Sequence, residues 1–84
     1  MYCVCCGATS NLNIHHIFYG TAKRKTSDKY DDICTAVLCF TCHRKLHDGR
    51  LPSLDRWLKM NAQRKFEEKY SHELFMQEFR RNYL

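Results

Sequence analysis

Two C-x2-C pairs constrain this chain more than anything else in it: Cys3 and Cys6, then Cys39 and Cys42, separated by 32 residues. Each pair is the right length for a tight knuckle that presents two sulfurs, and two knuckles complete a tetrahedral zinc site. Gly7 follows the first pair and lets the backbone turn so that its amides approach the thiolates. An 84-residue chain has good reason to carry such a staple. Domains this small bury a modest share of their surface and commonly rely on a metal, disulfides or a partner. Disulfides are the alternative for six cysteines, and they belong to oxidising compartments. Met1-Tyr2-Cys3 opens into the first pair with no apolar segment before it. A reducing, cytosolic setting with structural zinc on Cys3, Cys6, Cys39 and Cys42 is therefore expected, with Cys5 and Cys34 as free thiols. No apolar run is long enough to span a bilayer, so no membrane partner is expected.

Composition changes near residue 50. All six cysteines and four of the five histidines lie before it; charged, Leu- and aromatic-containing sequence follows. In the first half, Leu12 to Ile17 starts with polar/apolar alternation and reads as a short strand, and Ala36-Val37-Leu38 as a second. Residues 18–33 read as a long polar loop, and loops of that length in compact domains tend to be functional. Thr41 to about Asp48 reads as a helix stopped by Gly49, with Pro52 just beyond. In the second half Ser53 is a candidate N-cap. Leu54, Trp57, Leu58, Ala62, Phe66 and Tyr70 then follow helical spacing on one face. Ser71 is a candidate cap for a last helix with Leu74, Phe75, Met76, Phe79 and Tyr83 on its apolar face. Core packing is the expected role of these aromatics. The fold class that results is α+β: a zinc-stapled core over residues 1–50 and a helical extension over 51–84, packed as one domain.

His43 and His47 stand four apart on the expected helix, so they share a face and can bind one ion. His43 directly follows Cys42, so a zinc knuckle would fix the start of the helix that carries this second site. His15 and His16 are adjacent on or near a strand, where successive side chains point to opposite sides. One of the two can complete a three-histidine site while the other remains able to take a proton. His72, near a helix start, is expected to be an ordinary surface residue.

C-x2-C-G, then His-His, then C-x2-C-His with a further histidine four residues on, resembles the HNH, or ββα-metal, endonucleases. The closer likeness is to their four-cysteine branch, common in phages and prophages. The resemblance covers residues 3–48 and implies a ββα-metal core followed by the two helices. By position it implies that His15 and His43 hold a catalytic divalent ion, with His47 as a further ligand or a phosphate contact, and that His16 is the general base. That ion would be Mg2+ or Mn2+, although imidazole ligands also suit Ni2+ and Zn2+. The implied reaction is hydrolysis of phosphodiester bonds in nucleic acid, DNA by preference, within a bacterial host cytoplasm. The sequence departs from the family at one element. No Asn lies between Asn13 and Asn61, and the position nine residues before His43 is Cys34. A thiol is a poor substitute for an amide, which both donates and accepts hydrogen bonds.

The net charge of +5 agrees with a polyanionic partner without demanding one. Zinc on four thiolates lowers it to about +3. Lys23, Arg24, Lys25 and Lys29 in the polar loop, with Arg44 and Lys45 beside the histidine helix, are the candidate phosphate contacts. A solvated charged loop is the plainer reading of the first three. Nothing in the sequence resembles base-specific readout, so weak sequence preference is expected. Two non-enzymatic readings stand beside the nuclease. One is a zinc module that binds nucleic acid without cleaving it. The other is a protein-directed factor in phage packaging, recombination or anti-defence, docking or forming a homodimer through its C-terminal helices.

Overall fold

A computed structural model describes residues 1–18 and 29–84. Its described elements run β1 (Leu12–His16), α1 (Asp31–Cys34), β2 (Thr35–Cys39), α2 (Phe40–His47), α3 (Pro52–Lys69) and α4 (His72–Phe79). The molecule is a small α+β protein with a two-stranded antiparallel sheet and four described helices. Leu12 pairs with Cys39, Asn13 with Leu38, Ile14 with Val37, His15 with Ala36 and His16 with Thr35. Ile17 donates its amide to the Cys34 carbonyl at 2.9 Å, which extends the ladder one step. Successive strand residues face opposite ways. That alternation buries His15 while leaving its neighbour Ile14 exposed.

The first knuckle is closed by its own backbone: the Gly7 amide reaches the Cys3 carbonyl and the Cys3 amide reaches Ala8, both at 2.8 Å. Gly7 has φ +81°, a conformation that costs a residue with a Cβ. The second knuckle opens α2. Cys39 is its N-cap, and its sulfur accepts the Cys42 amide at 3.4 Å. The helix ends at Asp48 and Gly49, whose amides cap the carbonyls of Arg44 and Leu46, and Gly49 has φ +75°.

The core lies where the C-terminal helices meet the sheet. Phe18 stacks against Phe79 with ring centroids 4.6 Å apart and against Phe75 at 5.7 Å. Phe66 packs on Tyr30 at 4.8 Å and on Phe75 at 5.5 Å. Leu58 and Ala62 complete the buried face of α3. Aromatic pairs in these tilted and edge-on arrangements add to the burial term. Gln63 is fully buried, donating to Asn82 at 2.7 Å and accepting the Tyr83 amide at 2.7 Å, which ties the last residues to α3.

Several sequence expectations are corrected here. Helix α3 starts at Pro52, with Leu51 at the N-cap and no side-chain cap, so Ser53 is inside the first turn. Proline suits that position because its missing amide hydrogen is not needed there. Trp57 and Tyr70 were placed on the buried face but are exposed, while Gln63 takes a core position. Tyr83 lies beyond α4, which ends at Phe79 with Arg80 in the left-handed conformation; its ring returns to Phe18 at 5.1 Å. Part of the expected polar loop is structured: Phe18 is core, and residues 31–33 belong to α1. Ser71 does cap α4, accepting the Leu74 amide at 3.0 Å.

Candidate functional site

The sheet and α2 bring together two groups of ligand-type side chains. Cys3, Cys6, Cys39 and Cys42 form the first, their sulfurs all within 4.8 Å of one another. A tetrahedron of sulfurs about 2.3 Å from a zinc ion has edges of about 3.8 Å. The Cys6 and Cys39 sulfurs are 3.7 Å apart, so the group can bind a metal such as zinc with little adjustment. None of the six cysteines is in a disulfide. Burial pushes the Cys3 thiol up, but the amides of Cys39, Cys6 and Cys5 and the Cys6 thiol outweigh it and bring it down to about 6. Cys42 goes the other way: burial and then the crowd of neighbouring thiols raise it. Four thiols packed together resist joint ionisation, and a divalent cation relieves that repulsion.

Cys5 is exposed, and its thiol is among those that raise Cys42, so it borders the cluster. Cys34 is remote from such chemistry. It is fully buried, and burial, helped by the Asp32 charge, pushes its thiol up to about 12. Cys34 is not among the four grouped sulfurs, and a thiol that seldom ionises is a poor nucleophile.

His15, His43 and His47 form the second group, with one ring nitrogen from each inside the same 4.8 Å limit. The Nε2 atoms of His43 and His47 stand 3.0 Å apart. Two nitrogens about 2.1 Å from one ion, at angles of about 90° to 109°, are separated by about 3.0 to 3.4 Å. His15 closes the third side, its ring 5.2 Å from that of His43 and 5.6 Å from that of His47. Both its nitrogens are shut off from solvent. Burial and then the nearby His43 and His47 hold His15 down at about 4; Asp55 on α3 opposes them. Burial, then His47 and His16, also lower His43. His15 and His43 are thereby both held toward the neutral form, in which imidazoles bind metals. Cys42 of the first group and His43 and His47 of the second all lie on α2, so the cysteine knuckle sets the position of His43 and His47.

His16 is half-buried on the opposite side of β1 from His15, within electrostatic reach of both His15 and His43. Arg44 and Lys45 are exposed on α2. Lys29 is exposed and lies 3.6 Å from Glu78, a weak surface ion pair. Lys23, Arg24 and Lys25 lie outside the described residues. His72 is a surface residue as expected, 2.9 Å from Glu67. Asp55 was missed from sequence, because a carboxylate 40 residues after His15 carries no spacing signal.

No family model, curated protein or solved structure matches the chain. Among the described residues, no helix is long and apolar enough to cross a membrane.

Proposed function

We propose that this protein is a metal-dependent endonuclease of the HNH, ββα-metal type that hydrolyses phosphodiester bonds in nucleic acid, with DNA as the favoured substrate. The observation that carries the reading is the convergence of His15, His43 and His47, with His16 as the next residue along the same strand. A ligand triad beside an imidazole that faces the other way separates the two roles that hydrolysis needs. In this reading zinc on the four cysteines is structural and the histidine ion is catalytic. His15, His43 and His47 would hold the catalytic ion, Mg2+ or Mn2+ for preference, which would supply charge stabilisation when bound.

The chain's own residues do the rest. His16 accepts a proton from the attacking water, a role suited to an imidazole near neutral pH. His15, held neutral by burial, keeps its lone pair available to the ion even in mildly acidic solution. Arg44 and Lys45, on the exposed side of the helix that carries His43 and His47, are placed to contact flanking phosphates. Phosphate contacts position a strand without reading its sequence, which fits weak specificity.

The test is plasmid nicking with Mn2+ or Mg2+. His16→Ala is expected to lower the rate by at least about 100-fold while zinc content and the thermal transition stay as in the wild type. Undiminished nicking by this variant would remove His16 from the base role. Binding of nucleic acid without metal-dependent cleavage by the wild type would favour the non-enzymatic zinc module. Neither binding nor cleavage would leave a protein-directed role.

A further inference from the structure

A groove of about 290 Å3 runs beside β2, opposite the edge that pairs with β1. Its walls include Val4, Ile17 and Thr35 on one side and Trp57, Asn61 and Lys65 on the other. The volume is close to the lower end for small-ligand pockets, about 300 Å3. Trp57, Asn61 and Lys65 are spaced i, i+4, i+8 on α3, which places them in one stripe along the helix. Trp57 is 56% exposed, although it is a large aromatic with a core only one residue away at Leu58. Val4 and Ile14, 42% and 53% exposed, extend the apolar surface across the sheet.

The groove's position relative to His16 gives it meaning. The Ile17 amide bonds the Cys34 carbonyl, so the next pair inward, His16 and Thr35, is a non-hydrogen-bonded pair. Such residues carry their side chains on the same face with Cα atoms about 4.5 Å apart. Thr35 then turns its backbone groups to the open edge, where the groove begins. The groove is thus bordered by the chain neighbour of His16 and by its cross-strand partner. A nucleic acid held against His16 would lay an adjoining nucleotide over this edge.

We propose that the groove is a nucleobase site, in which Trp57 stacks an unpaired base next to the scissile phosphate. Asn61 faces the base edge and Lys65 the following phosphate. This inference rests on the nuclease reading and narrows its substrate to single-stranded or locally opened nucleic acid, since a base within a duplex is not free to leave its stack. The residue types fit the occupant. An indole offers a stacking face to any base, so the site adds affinity without sequence preference. Asn61 donates one amide hydrogen to the Trp57 carbonyl at 2.8 Å, which fixes its position in the stripe. Lys65 and the net charge of +5 complement a polyanion.

Trp57 is the only tryptophan, so its fluorescence reports the site directly. The zinc-loaded protein, with no Mg2+ or Mn2+ added, is titrated with an oligothymidylate of about 10 nucleotides and with an abasic oligomer of the same length. The oligothymidylate is expected to quench the fluorescence and to bind about tenfold more tightly than the abasic oligomer. Trp57→Ala is expected to erase that difference, and Trp57→Phe to restore part of it. Lys65→Ala is expected to reduce the salt dependence of binding, with a slope lower by about 0.7. Equal binding of the two oligomers, or unchanged affinity in Trp57→Ala, overturns the base site. So does a fluorescence change that follows protein concentration with no oligomer present, because a second copy then fills the groove. Cleavage with Mn2+ is read separately. His16-dependent cleavage without a Trp57 effect removes the base site and leaves the nuclease. Trp57-dependent stacking without cleavage supports the base site and removes the nuclease.

Discussion

At the scale of single residues, Cys39 and His15 show how position sets chemistry. Cys39 is a ligand-type thiol and also the N-cap of α2, since its sulfur takes the Cys42 amide. His15 is buried and held down at about 4, against about 6.5 for an unfolded imidazole. Between those values the unfolded chain takes up a proton that the folded chain refuses. The metal-free protein should therefore lose stability as the pH falls from about 6.5 to about 4, by on the order of 3 kcal/mol. Above about 6.5 the same group costs nothing, because both states are neutral. Denaturant titrations of the metal-free wild type and of His15→Gln across this range check it. A slope with pH that is equal in both proteins would assign the effect elsewhere.

Among the elements, α2 carries the most consequence, because a knuckle begins it and two histidines of the second group lie along it. Removing zinc from the cysteine group is expected to disorder α2 and so disperse His43 and His47. Cys42→Ser is expected to lose tightly held zinc, part of the helical circular dichroism and the ability to take up a second ion. Second-ion uptake unchanged by this substitution would show that the helix is held without its staple. Much of this element was legible in sequence, since two C-x2-C pairs, Gly49 and the spacing of His43 and His47 are local signals. Helix α3 was less so. Its periodicity allowed Trp57 into the core, but the neighbours that decide its exposure come from β2 and the first knuckle. Gln63 read as polar surface for the same reason. Its partners, Asn82 and Tyr83, lie 19 and 20 residues away. Facing partners at such distances leave no periodic trace.

For the whole molecule, the aromatic core joins the two halves that composition separates. Phe66 on α3 meets Tyr30, just before α1, and Phe75 and Phe79 on α4. Phe18, directly after β1, meets the same α4 rings and Tyr83. The helices are thus part of the structure that holds the sheet. Phe66→Ala is expected to cost about 3–5 kcal/mol, most of the stability of a domain this small. The check is chemical unfolding of the zinc-loaded protein, with one transition for both halves. Separate transitions would mean that the C-terminal helices fold by themselves and that residues 1–50 do not need them.

The shared helix also bears on how any activity should be interpreted. Chelator inhibition is the ordinary sign of a metal-dependent enzyme, and here it would have two origins with different time courses. An ion on three histidines beside an exposed surface should leave quickly and return when the salt is restored. An ion enclosed by four sulfurs should leave slowly, and its departure would take the binding geometry of the first with it. Recovery after chelation would then depend on refolding around the knuckles before the second ion could act. A brief exposure to chelator and a prolonged one are, for this architecture, two different experiments.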